Sequence, residues 1–495
     1  MSEQGEKRAR RALPPRDDNP ADAPTAPPAS VGRRGVAASR GQRAESAPVS
    51  PAGGVAAGGG RGRRFADTND APASGPSPEA TGWGRRRLRL GIVTAVALAL
   101  VFGGAWGAQR LGVFDAASSS STPSPDAARF VAAPEDLSSL NAQAQWQIAT
   151  ASSTLDATTP QAKCLTTATE GAERPKDTVV RTFSAGASAP GAAFFQVNHY
   201  ETNESAHTAY AAFVTQLANC DRTTALAKQG LAVQGLGDEA TGQVLEVQDA
   251  TNEYHTIALT RVGTRVSVLD ATQAKSAVAG EAVVATLATV GQRQCTDGGT
   301  CPASPTASQT IPLVTTPAGW LGTIDLPRIS PGSGAWRATD VADSVTTPGT
   351  KCEAVDLGNF PSATTRQQRT YLLRDDTAAP QSFGVDEAVY TFAKPDEAAA
   401  ALATLSGNMD GCAARAATAQ VTRTRDPSGS GAAASWVVVQ RVDQQSATAK
   451  FRSAAVVSGT RLIYLVANPS DTFDFSDDAW HALTIRASQR VQQAP

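Results

Sequence analysis

The sequence predicts an α+β protein: two tandem domains, each an antiparallel sheet with packed helices, behind a disordered tail and one transmembrane helix. Three observations predict it. A single uncharged run stretches from Leu90 to Ala108, all six cysteines lie beyond that run, and a set of landmarks around Cys220 recurs around Cys412.

Residues 1–84 are mostly Ala, Gly, Pro, Ser, Arg and Asp, as in "LPPRDDNPADAPTAPPAS" and "SPAGGVAAGGGRGRR". With hardly any large apolar side chains, such a segment cannot offset its ordering entropy, and it reads as disordered. Through Arg89 the charge sums to roughly +7, and the whole-chain value of -2 leaves roughly -9 for the rest. A basic tail therefore precedes an acidic body. The clusters Lys7, Arg8, Arg10, Arg11 and Arg61, Arg63, Arg64 read as a solvated tether, and no nucleic-acid partner is expected. Arginine-rich, Ala- and Gly-rich usage marks a high-GC bacterial genome rather than a function.

From Leu90 to Ala108, "LGIVTAVALALVFGGAWGA" carries no charge. About 20 such residues cross the hydrocarbon core as a helix, so residues 85–110 read as a membrane span with its flanks, in contact with lipid. Arg85, Arg86, Arg87 and Arg89 crowd one flank and only Arg110 follows the other. The positive-inside rule puts the crowded flank in the cytoplasm and the C-terminal body outside the cell. A cleaved signal peptide is the competing reading, but its apolar region is shorter and nearer the chain start. Residues 111–129, with "ASSSSTPSPDAA", read as a Ser/Pro linker.

Cys164, Cys220, Cys295, Cys301, Cys352 and Cys412 would all face an oxidising space. Spacing alone cannot choose among their many pairings, but an internal repeat does. Tyr200, Tyr210 and Phe213 precede Cys220 at the spacings at which Phe392, Leu402 and Leu405 precede Cys412. That stripe describes an amphipathic helix at 204–218 and again at 396–406. Thr202 or Asn203 offers an N-cap to the first; Pro395, Asp396 and Glu397 suit the first turn of the second.

Upstream, "VVRTFSAG" and "AAFFQVNHY" read as a hairpin, as do "QQRTYLLR" and "DEAVYTF", and Trp146 and Trp336 precede them. Downstream, Gly263-Thr264-Arg265 and Gly459-Thr460-Arg461 mark a turn between two strands. Closing helices follow at 274–290 and 477–491. Each domain is then closed by its own bridge, Cys164 with Cys220 and Cys352 with Cys412. Cys295 and Cys301, in "CTDGGTC", have no counterpart; a small local ring is expected, with a metal site or an intermolecular bond as alternatives. The first domain spans 130–294, the second 326–493, and 295–325 reads as a flexible to semi-extended linker carrying the small Cys loop.

The ordered set of Trp, Cys, paired strands, helix, Cys, "GLGDEA" at Gly235–Ala240, two long strands and a closing helix resembles the extracellular sensor domain of PknH-type receptor kinases of mycobacteria and their kinase-free relatives. An actinobacterial lipoprotein family with a similar "GLGDEA" turn competes. The resemblance covers most of 130–294 and, less closely, 326–493. It implies an α+β domain with a helix packed on an antiparallel sheet, and a cleft for an unknown envelope ligand. Three departures stand out. The family's second internal disulfide is missing, the second unit has "RDPSGSGAAASW" in place of "GLGDEA", and the tail has no kinase pattern.

Signs of chemistry are sparse. His199, His207, His255 and His481 fit neither HExxH nor paired-ligand spacing, and there is no nucleophile elbow, Walker loop or dinucleotide fingerprint, so no cofactor or metal is expected. Asp238 with Glu239 and Asp477 with Asp478 read as turn and helix-start acids. The weak ligand candidates are Trp146 and Trp336, which also read as core, and Arg181 and Arg369, which also read as strand-surface charge. The expectation is a non-catalytic, membrane-anchored extracellular binding or sensing protein whose partners are an envelope ligand and, through the tail, a cytoplasmic protein. A hydrolase with a site dispersed in sequence and a structural or adhesive protein are the alternatives.

Overall fold

The computed structural model describes residues 128–495 except 157, 167–172, 187–190, 221–223, 250, 330–331, 333, 375, 381–382, 426–432 and 442–447. The tail, the run Leu90–Ala108 and most of the Ser/Pro linker lie outside the described residues. Among the described residues no helix is long and apolar enough to cross a membrane.

Two antiparallel sheets organise the body. The first comprises β1 (Trp146–Ser152), β2 (Asp177–Ala185), β3 (Ala192–His199), β4 (Ala225–Gln234), β5 (Glu239–Gln248), β6 (Asn252–Val262), β7 (Arg265–Gln273) and β8 (Thr306–Thr310). Their order across the sheet is β1-β2-β3-β7-β6-β5-β4-β8. The second comprises β9 (Ala335–Ala338), β10 (Thr365–Arg374), β11 (Gly384–Thr391), β12 (Ala419–Arg425), β13 (Ala433–Arg441), β14 (Thr448–Ser458) and β15 (Arg461–Ala467). Read from β9, its order is β9-β10-β11-β15-β14-β13-β12, the same topology without the eighth strand. The tandem repeat expected from sequence is thus a repeat of topology.

Each sheet is covered by one helix on either face. α1 (Asn203–Ala218) follows β3, and its buried stripe is Ala206, Ala209, Tyr210, Phe213 and Leu217. Its counterpart α3 (Pro395–Asp410) buries Ala398, Ala401, Leu402, Leu405 and Met409 at identical spacing. Small residues at the first two positions let the helix lie close to the sheet, and larger ones fill the far end. Thr202 caps α1 by accepting from Ser205 N, whereas α3 starts on Pro395 without a side-chain cap. The bridges Cys164–Cys220 and Cys352–Cys412 pair as expected, each fastening the connection between its unit's first two strands, rather than a strand, to the end of the helix. The opposite faces carry the closing helices α2 (Gly280–Gln294) and α4 (Asp477–Val491). The central strands are therefore buried on both sides, with consecutive buried residues in "HTIALT" and "LIYLVA".

The β6–β7 and β14–β15 turns each use two residues, with Gly263 at φ 57° and Gly459 at φ 59°. That left-handed backbone matches the strand twist and favours glycine.

Two expectations are corrected. α2 was expected from Ala274 and begins at Gly280. β7 continues to Gln273, and the chain must then turn back over the sheet edge, where Thr256 Oγ1 donates to Val278 O at 2.7 Å. The helix starts only after that return. The second difference concerns the segment 295–325. Far from a flexible spacer, it closes the ring Cys295–Cys301 and lends β8 to the first sheet, against β4. It then carries Trp320, Leu321 and the 3-10 turn Thr323–Asp325 against the second sheet. Ile324 and Leu313 meanwhile pack on the first unit's core. The two units also meet directly: Arg486 of α4 donates to Ala227 O and Lys228 O of β4, and Arg328 to Gln248 O.

Candidate functional site

The four side chains singled out from sequence do not converge. Arg181 of β2 stands opposite Phe195, and Arg369 of β10 opposite Glu387. Arg181 Nη1 donates to Ala132 O at 2.8 Å, and Arg369 Nη1 to Leu321 O at 3.0 Å. Both arginines hold a lead-in segment that runs under the sheet before its first strand. Burial and the neighbouring Arg293 charge lower the Arg181 pKa. Trp336 is buried among Phe383 and Phe475 and donates Nε1–H to Pro327 O at 3.0 Å. Trp146 is half-buried against the α2-side core, its buried indole N–H without a partner. None of the four lines the cleft described below.

The lead-in segments match in detail, which sequence comparison did not reveal. In the first unit Asp136 accepts from Ala133 N at 2.8 Å and is gripped by Arg293 of α2 at 3.0 and 2.6 Å. In the second, Asp325 accepts from Gly322 N at 2.8 Å and is gripped by Arg490 of α4 at 2.9 and 2.8 Å. Each carboxylate caps its own 3-10 turn while pairing with the closing helix. The second unit accordingly begins before Leu326, with Trp320–Asp325 as its lead-in.

The "GLGDEA" turn is a structural joint. Asp238 accepts from Gly263 N at 2.7 Å and from Thr300 N at 2.9 Å, and Glu239 pairs with Arg261 and His207. Burial opposes ionisation of both acids, but these donors outweigh it and hold their pKa values below the ordinary range. The Cys295–Cys301 ring supplies Thr300 to Asp238, and Asp297 to Arg129 and Arg265. Both of those arginines lie over the Phe130 ring, at 4.4 and 3.7 Å. Of the other acid pair, Asp477 and Asp478 start α4 and bond Arg452 and Arg425.

One histidine sits in an arrangement that its sequence context concealed. His255 of β6 and Asp270 of β7 lie on neighbouring strands, with Nδ1 2.9 Å from Asp270 Oδ1; Lys163 N donates to the same carboxylate. His255 is 8% exposed, and its Nε2 has no hydrogen-bond partner. Only the strand register reveals the pair, because the residues are far apart in sequence.

The cleft lies in the first unit, at the start of α2, with a volume of about 470 Å³. β4 contributes Lys228, Gln229 and Leu231; Val244 and Tyr254 form its floor. Lys275, Ser276 and Glu281 come from the return loop and helix start, and Ser308 and Gln309 from β8. Without β8 the cleft would lack a wall. α2 has no side-chain cap at Ala279, so its first N–H groups face this end of the sheet unpaired by any side chain. In the second unit the same place is filled from within: Arg452 binds Asp474 and Asp477, Lys450 binds Asp474, and Ser476 caps α4.

No known protein family and no curated protein sequence matches the chain. Among solved structures, it is similar to the extracellular domain of PknH from Mycobacterium tuberculosis. The identity is 16%, over 32% of this chain and 84% of that one, with a TM-score of 0.24. It is also similar to the Tle4-Tli4 complex at 10% identity, over 62% of this chain and 91% of that one, with a TM-score of 0.16. Both are weak likenesses at the level of the fold.

Proposed function

We propose that the chain is an outward-facing, membrane-anchored binding protein of the cell envelope, and that the first unit takes a small ligand in the cleft at the start of α2. The observation that carries this reading is the cleft itself. Its lining sets the Lys275 ammonium, the Glu281 carboxylate and hydroxyl and amide groups beside Leu231, Val244 and Val278, with Lys228 paired to Glu246, a mixture that suits a small polar ligand. Support for the outward placement comes from the uncharged run Leu90–Ala108 with its lopsided arginines, and from three disulfides suited to an oxidising space. The tail serves as a tether or docks a cytoplasmic partner.

The test is ligand retention. Full-length chain in lipid nanodiscs is incubated with a low-molecular-weight envelope extract and re-isolated, and bound compounds are identified by mass spectrometry. A compound retained unchanged by the wild type and lost from Ala277→Trp supports the reading. Equal retention by both proteins, or chemical conversion of the compound, contradicts it.

A second reading, a hydrolase, is favoured by the His255–Asp270 pair, since a carboxylate orienting an imidazole is half of a nucleophile-activating relay. Labelling by a broad serine-directed probe that disappears in His255→Gln would select it.

A further inference from the structure

The two units differ at one buried place beneath the lead-in. In the first, the residue opposite Arg181 is Phe195 and the residue two beyond Arg181 is Phe183, both buried. In the second, the residue opposite Arg369 is Glu387 and the residue two beyond Arg369 is Tyr371, both with no solvent exposure. The same topology is therefore built in the first unit without an ionisable group here. What Glu387 and Tyr371 add is contact with the lead-in backbone. Glu387 Oε2 accepts from Leu321 N at 3.2 Å, and the Tyr371 hydroxyl lies 2.6 Å from that oxygen and 2.8 Å from Leu321 O.

A phenol has one proton for those two acceptors. With Glu387 neutral, its own O–H can donate to the Tyr371 oxygen while Tyr371 donates to Leu321 O, so every contact is made at once. With Glu387 ionised, the phenol proton is drawn to the carboxylate, Leu321 O keeps only its bond from Arg369, and a charge is left in a site closed to water. We propose that Glu387 is a proton-operated catch that fastens Trp320–Asp325, and with it the joint between the two units, to the second sheet.

The surrounding charges agree. Arg369 of β10 faces the pair and favours ionisation, Asp325 of the lead-in opposes it, and Asp325 is itself engaged by Arg490 and approached by Arg486 of α4. β15 contributes the neutral Leu465 opposite Glu387. Burial dominates and pushes the Glu387 carboxyl up to about 7, against the hydrogen bonds from Tyr371 and Leu321. Because the folded pKa is raised, the catch is closed on the acid side and releases as pH rises through neutrality.

Hydrogen exchange of full-length chain in nanodiscs tests this, following peptides that cover 312–326 between about pH 6 and about pH 8, with intrinsic rates corrected. In the wild type, corrected exchange of this segment should rise several-fold toward alkaline pH, while peptides from α1 stay level. Glu387→Gln should give a flat profile. Tyr371→Phe, which removes a bond favouring the ionised form, should move the midpoint upward. A flat wild-type profile, an unchanged profile in Glu387→Gln, or an unmoved midpoint in Tyr371→Phe overturns the proposal.

Discussion

Arg490 grips both oxygens of Asp325, from Nε at 2.9 Å and Nη2 at 2.8 Å, and neither side chain has any solvent exposure. Its Nη1 reaches the carbonyls of Pro312 and Leu313 at 3.1 and 2.5 Å. One guanidinium thus ties the closing helix of the second unit to its own lead-in and to the chain leaving the first. Asp325→Ala leaves that cation buried and uncompensated, which costs about 3–5 kcal/mol. Asp136→Ala, at the counterpart pair, leaves behind Arg293, whose side chain is 36% exposed and keeps its hydration, and should cost less than half as much. Urea unfolding followed by tryptophan fluorescence measures both; equal losses would show that burial does not set the difference.

The disulfides should rank by loop length. The Cys164–Cys220 and Cys352–Cys412 loops span 56 and 60 residues, and Cys295–Cys301 spans 6. In the chain-entropy account, losing either long bridge costs about 4 kcal/mol and losing the short one about 2 kcal/mol. Paired Cys→Ser variants compared in thermal melts give the order. A short ring as costly as a long one would mean that its contacts to Asp238, Arg129 and Arg265 dominate.

Acid should loosen the first unit at the "GLGDEA" turn. Despite burial, the donors Thr300, Gly263 N and Arg261 hold the Asp238 pKa below its ordinary value. A lowered folded pKa contributes stability above the unfolded value of about 4, and that contribution fades as pH falls through the folded value. Melting temperature plotted against pH should therefore fall less steeply below about 4 in Asp238→Asn than in the wild type, from a lower starting point. Parallel curves would remove Asp238 from the account.

Gly299 should resist substitution. Its φ is 85°, and a Cβ there would fall onto the Gly263 backbone at the β6–β7 turn. Gly299→Ala should cost at least about 1 kcal/mol and expose the ring to proteolysis. Gly298, with open space around it, provides the control for φ strain alone.

The parts legible in the sequence were those fixed by periodicity and covalent closure. The stripes Tyr210–Phe213 and Leu402–Leu405, the paired turns at Gly263 and Gly459 and the two long bridges all keep their spacing, so the repeat shows without extensive identity; that the second helix runs on past Ser406 to Asp410 did not show. The lead-ins did not show, because Val131–Asp136 and Trp320–Asp325 share little beyond the capping aspartate, and their roles come from arginines far along the chain. β8 was hidden by composition: Thr306–Thr310 has exposed polar side chains, and only backbone bonding to β4 makes it a strand. His255 with Asp270 and Tyr371 with Glu387 meet through strand register, which no local pattern reports.

The proposed function places both disulfide-stapled units on the outer side of a membrane. Intact cells treated with an impermeant maleimide, with and without prior reduction by an impermeant reductant, test it most directly. The expected result is no labelling before reduction and labelling of the accessible pair Cys295 and Cys301 after it, while the buried Cys164, Cys220, Cys352 and Cys412 react only once the chain is unfolded. Thiols that react only once the cells are lysed, with no reductant needed, would contradict it.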